Sequence, residues 1–158
     1  MRILAIDPGN IESAFVIWDG NIIFRIGKLK NEDLLIMFNS CVYDNCVIEM
    51  IDSYGMPVGQ EVFDTCVWIG RFYEFLTPRI DNKISLIKRG EVKLHLCESR
   101  RAKDSNIMQA LIDRFGDVNK HGKYSKGTKK DPGFFYGFVA DEWAAFALAV
   151  TYFDNLKR

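Results

Sequence analysis

Asp19-Gly20-Asn21 stands between two runs of strand-forming residues, Glu12–Trp18 and Ile22–Ile26. Asp-Gly tolerates the positive φ that a tight primed turn demands, so the two runs are predicted to fold back on each other as a hairpin. A third apolar run, Arg2–Asp7, comes before them and is closed by Pro8-Gly9. The first 26 residues thus predict three antiparallel strands in a meander.

The period then changes. Asn31 is placed to cap a short helix through Phe38, with Glu32 and Asp33 in its first turn. Asn45–Met50 reads as a buried strand. After a glycine-bearing loop, Gln60–Leu76 carries apolar residues at helical spacing and Pro78 stops it. Ile84–Ile87 is a further strand. Glu91–Cys97 fits two readings, because Val92, Leu94 and Leu96 alternate like a strand while the segment also suits a helix. Asp104–Phe115 is predicted helical with Gly116 as its stop. Residues 116–138 read as a long loop rich in Lys and Gly, and Asp141–Leu156 as an alanine-rich helix. This order predicts an α/β fold with a mixed sheet, and a single domain over residues 1–158.

At 158 residues, 48% hydrophobic and 27% charged, the chain is long enough to bury a core. No apolar run approaches the roughly 18–20 residues that span a bilayer. Ile3-Leu4-Ala5-Ile6 is too short for a signal segment, and a cytoplasmic location is expected. The four cysteines form no CxxC pair and there are only two histidines, so a zinc site is not expected. Cys66 and Cys97 are expected to be small buried residues rather than disulfide partners. The net charge is zero, but residues 88–130 carry 12 Lys/Arg against 5 Asp/Glu, leaving −7 on the rest. That asymmetry marks either a phosphate-binding region or a solvated basic loop.

Three acids sit where an acid is locally unexpected. Asp7 ends an apolar strand, Glu49 interrupts the most apolar strand, and Asp141 opens an apolar helix. Taken singly, Asp7 is also a good turn residue, Glu49 a candidate for an ion pair, and Asp141 a candidate N-cap. No conspicuous Arg or His accompanies them in the sequence, which leaves a hard divalent cation as the expected partner.

Ile3-Leu4-Ala5-Ile6-Asp7-Pro8-Gly9 resembles the opening strand of the RuvC-type Holliday junction resolvases, members of the RNase H-like superfamily. Val47-Ile48-Glu49 is similar to their fourth strand, followed here by a helix with Ile69-Gly70-Arg71. Ala140-Asp141-Glu142-Trp143-Ala144-Ala145-Phe146-Ala147-Leu148-Ala149 resembles their closing helix. Each motif is short; their shared order along nearly the whole chain is the specific signal. Val92-Lys93 and Lys103 match a lysine pair that the family uses near DNA, which favours helix over strand for Glu91–Cys97. The compact length suits a phage-type member.

The resemblance implies a five-stranded mixed sheet, three antiparallel strands then parallel ones, flanked by helices. It implies a homodimeric endonuclease of DNA recombination and repair that cuts four-way junctions with paired nicks leaving 5′-phosphates. Asp7, Glu49 and Asp141 would hold two Mg²⁺, or Mn²⁺, with no organic cofactor. The family's usual second Asp of the closing helix is Ala144 here, so the site either has three carboxylates or recruits Glu142. Lys88, Arg89, Lys93, Arg100, Arg101 and Lys103 are expected to neutralise DNA phosphates, while the Lys/Gly loop His121–Lys130 reads either as a segment mobile until DNA arrives or as a flexible surface loop. Tyr54 is the candidate wedge between bases. Phe134-Phe135-Tyr136 is expected to pack in the core or at a dimer contact rather than to stack on bases, and Gln60–Leu76, with Trp68 and Phe72, either to form the dimer interface or to be buried in its own domain. Two other readings stand beside this one: a related nuclease of RNA–DNA hybrids or flaps, and a noncatalytic nucleic-acid-binding module on the same fold. An actin-like ATPase is disfavoured, since the chain is too short for the duplicated domain.

Overall fold

The predicted meander forms. In the computed structural model, which describes residues 1–53, 55–80 and 84–157, β1 (Ile3–Asp7), β2 (Glu12–Trp18) and β3 (Ile23–Lys30) pair antiparallel. At the turn, Asp19 Oδ1 accepts the N–H groups of Asn21 and Ile22 at 2.9 and 2.8 Å, and Gly20 takes a φ of 99°. β4 (Asn45–Met50) lies parallel beside β1, and β5 (Ile84–Lys88) parallel beside β4. The sheet order is β3-β2-β1-β4-β5, and its make-up of three antiparallel strands followed by parallel ones is the one the resemblance implied.

Side chains alternate across the sheet and divide the core in two. Leu4, Ile6, Phe15, Ile17, Cys46 and Ile48 face α1 (Asn31–Asn39) and α2 (Gln60–Leu76). Ile3, Ala5, Ala14, Val16, Trp18 and Val47 face α3 (Arg89–Cys97), α4 (Asp104–Phe115) and α5 (Ala140–Leu156). α5 lies against β1 and β2, and its residues from Ala145 to Tyr152 are all buried. Its alanines let the helix approach the sheet closely, while Phe146 reaches Trp18, Phe115 and Phe135 in edge-on ring contacts. Each large apolar side chain buried here contributes about 1.5–3 kcal/mol.

Several expectations are corrected. Glu91–Cys97 is helical, as the resemblance favoured, but the helix begins earlier, at Arg89; it closes on Glu98, whose φ is 56°. The segment 116–138 contains a small hairpin, β6 (Asp117–Val118) with β7 (Tyr124–Ser125). Asn31 is no cap: it lies inside the first turn of α1, fully buried. Trp68 and Phe72 point into their own core, so they cannot form a dimer contact; the outward face of α2 carries exposed Phe63 and Val67 beside Gly70. Cys66 and Cys97 are half-buried rather than buried, and all four cysteines are free. Phe135 is buried and stacks on Trp143, in line with the core reading, whereas Tyr136 is exposed. Tyr54 lies outside the described residues. Among the described residues no helix is long and apolar enough to cross a membrane.

Candidate active site

Register brings the acids together. Asp7 stands opposite Ala14 on β2, and Ala14 opposite Lys28 on β3. The pairing of Ile6 with Ile48, carried on by one residue, sets Asp7 level with Glu49. Asp7 follows Ile3 and Ala5 at a spacing of two, and Glu49 follows Val47, so both carboxylates leave the sheet on the face that α5 covers. Lys28 projects from that same face because directly opposed residues share a side of the sheet.

The turn after Asp7 is held from below. The Gly9 N–H donates to Ser13 Oγ at 3.1 Å, the Ser13 hydroxyl donates to Asn31 Oδ1 at 2.6 Å, and Asn31 Nδ2 donates back to the Gly9 carbonyl at 2.9 Å. Ser13 and Asn31 are both buried. Gly9 is required, since a Cβ there would overlap the carbonyl oxygen of Glu12.

α5 delivers the third acid. Asp141 is the second residue of the helix and does not cap it; its Oδ2 accepts from Lys28 Nζ at 2.6 Å. Glu142 turns back instead, accepting the Val139 N–H at 3.0 Å and securing the helix start. Asp7, Glu49, Arg89, Asp104, Asp141, Trp143 and Ala144 line one cleft. A second cleft on the other side of Asp7 is lined by Gly9, Glu12, Lys28 and Asp141 among others. Asp7 and Asp141 belong to both.

The acids do have cationic neighbours, contrary to expectation. Arg89 Nη1 lies 3.4 Å from Glu49 Oε2 while Nη2 donates to Asp104 Oδ1 at 2.7 Å. Positive charge still falls short: the first cleft sets four carboxylates against one guanidinium. Burial, then the negative charges of Glu49 and Asp141, push the Asp7 carboxyl up to about 7, against the opposing pull of Arg89 and Lys28. Burial likewise raises Glu49, although Arg89 works against it.

Such a set suits a hard divalent cation in kind, being all oxygen and partly desolvated, and added positive charge would relieve both raised groups. Among the described residues, no three carboxylates are gathered tightly enough to close on one ion as they stand. Lys28 holds Asp141 closely, at 2.6 Å, whereas Arg89 stands off Glu49 at 3.4 Å.

The expected phosphate contacts are spread out. Lys88 pairs with Asp52 at 3.2 Å. Arg89 is not on the open surface, being 21% exposed and lodged between two carboxylates. Lys93 is half-buried near Glu49 and Asp104, whose carboxyls feel its charge. Arg100, Arg101 and Lys103 are exposed on the link from α3 to α4. Sequence reasoning missed Lys28, Asp104, Ser13 and Asn31.

An antiparallel meander followed by parallel strands, with a closing helix laid across the ends that bear Asp7 and Glu49, is an RNase H-like fold. Within that class the fold is that of RuvC. Thermus thermophilus RuvC superposes with a TM-score of 0.68 at 12% sequence identity, over 99% of this chain and 96% of that one. The same protein, solved in complex with a Holliday junction substrate, superposes at 0.69 and 11% identity, over 99% and 95%. No family model and no curated relative matches the sequence.

Proposed function

We propose that this chain is a metal-dependent endonuclease that resolves four-way DNA junctions. The observation that carries the reading is the common face on which Asp7 and Glu49 emerge beneath Asp141, within a RuvC fold. Asp7, Glu49 and Asp141 would hold Mg²⁺ or Mn²⁺, two ions per site, which when bound supply a readied water and charge for the leaving 3′ oxygen. Glu142 stays a capping residue, leaving three carboxylates as the ligand set.

The chain's own residues do the remaining work. The buried Ser13–Asn31 pair holds the turn that aims Asp7. Lys28 neutralises Asp141 and sets an ammonium at the cleft edge, where it would also meet a DNA phosphate. Lys93, Arg100, Arg101 and Lys103 would neutralise the DNA backbone without reading sequence. Lys88 joins them by leaving Asp52. A four-way junction has two-fold symmetry, so paired nicking calls for a two-fold dimer. The exposed Phe63–Val67–Gly70 face of α2 is the surface we assign to it.

The test compares a four-way junction, a linear duplex and an RNA–DNA hybrid, each with Mg²⁺ and with chelator. Metal-dependent paired cuts in the junction alone, leaving 5′-phosphates, are expected. Equal cleavage of the hybrid would instead indicate a hybrid nuclease. Tight junction binding without cutting in Mg²⁺ would indicate a noncatalytic binding module.

A further inference from the structure

The guanidinium of Arg89 is shared unequally. Nη2 makes a short hydrogen bond to Asp104, while Nη1 lies 3.4 Å from Glu49, at the outer limit of a useful bond. Asp104 is the first residue of α4, on the wall of the cleft shared with Asp7, Glu49 and Asp141. The unpaired N–H groups of a helix start favour its ionised form. Its side chain is 78% exposed, so it plays little part in holding the core. Arginine cannot shed its charge, and a free guanidinium prefers a two-pronged grip on a carboxylate. Released from Asp104, Arg89 would close on Glu49 with both prongs, and that oxygen pair would no longer be open to a cation.

We infer that Asp104 is a positioning residue that holds Arg89 back from Glu49 and so keeps Glu49 open to a divalent ion. This rests on the metal-dependent reading above, but it concerns a residue outside the three ligands. It also gives the cleft a fourth carboxylate, acting through a guanidinium, where Ala144 provides none.

Direct Mn²⁺ binding to the full chain without DNA, followed by calorimetry, tests it. Asp104→Asn should weaken Mn²⁺ binding about tenfold, the lower end of what lost outer-shell partners cost a metal site. Arg89→Gln/Asp104→Asn should restore the affinity to that of Arg89→Gln alone, because no guanidinium is left to restrain. An unchanged affinity in Asp104→Asn would overturn the inference. So would a double variant that stays weak, which would make Asp104 a direct ligand. A folded wild-type chain that binds no Mn²⁺ would overturn both this inference and the metal-dependent reading, whereas normal Mn²⁺ binding with an indifferent Asp104→Asn removes only the former.

Discussion

Asp7→Asn should make the metal-free protein more stable at pH 8. The Asp7 carboxyl rises from 3.8 to about 7 on folding, chiefly through burial and then through Glu49 and Asp141. Between those values the folded chain keeps a proton that the unfolded chain has released, so stability falls as pH rises through the window and levels off above it. That rise corresponds to about 4 kcal/mol at pH 8. Asparagine removes the charge but keeps a polar group in the same place, which returns part of that gain. The expected net is about 2–3 kcal/mol, or about 5–10 °C in Tm for a chain of this size. Urea unfolding in EDTA at pH 4 and pH 8 measures it: the two proteins should nearly coincide at pH 4 and diverge at pH 8. Adding Mg²⁺ at pH 8 should then raise the wild type and leave the variant nearly unmoved. An Asp7→Asn protein less stable than wild type in EDTA at pH 8 would refute the claim that this carboxylate is held against its own electrostatics.

Two further outcomes concern stability. Asp154 receives both Arg114 Nη groups at 2.6 and 2.7 Å and pairs with His95 at 2.8 Å, and the Arg114 bonds foremost hold its carboxyl down to about 2. That contribution is present above about pH 4 and lost as pH falls toward 2, so Asp154→Asn should cost about 1–2 kcal/mol at pH 6, after discounting for the exposed Arg114. The cost should vanish in urea melts near pH 2. Asn31→Leu strips partners from the Gly9 carbonyl and the Ser13 hydroxyl, and should cost about 2–4 kcal/mol, each buried orphan costing about 1–3; a loss below about 1 kcal/mol would show that the turn under Asp7 needs no such support.

The sheet was readable because its local signals agree with its global plan. Asp19-Gly20 marked the hairpin, the apolar runs marked β1 and β4, and Pro78 and Gly116 marked where α2 and α4 stop. Asp7, Glu49 and Asp141 were visible as acids in apolar surroundings. Asn31 was misread because a polar residue before a helical run has the pattern of a cap, and only the packing of the meander against α1 shows that it is buried beside Ser13. Trp68 and Phe72 were misread because the pattern of α2 is apolar on more than one side. Periodicity finds apolar stripes, but the stripe holding Phe63 and Val67 and the one holding Phe72 differ only in which faces the sheet.

The cations of the cleft illustrate a harder limit. Counting back from a tight turn pairs Trp18 with Ile23, and the same count pairs Ala14 with Gly27, which would turn Lys28 to the opposite face from Asp7. A register irregularity between Ile17 and Trp18 shifts the pairing by one residue, so that Ala14 meets Lys28 instead. One extra residue reverses the face of every side chain beyond it. Lys28 therefore reaches Asp141, 113 residues further on, through a bulge for which no residue type in Glu12–Lys30 is a clear sign. Arg89 is hidden for a related reason: it is the first residue after β5, and whether it continues the strand or starts a helix decides whether its guanidinium enters the cleft. Resolving Glu91–Cys97 as a helix that begins at Arg89 is thus what turns an expected phosphate contact into a partner of Glu49. The electrostatic character of the site, a carboxylate excess only half met by two cations, follows from these two backbone choices more than from the acids themselves.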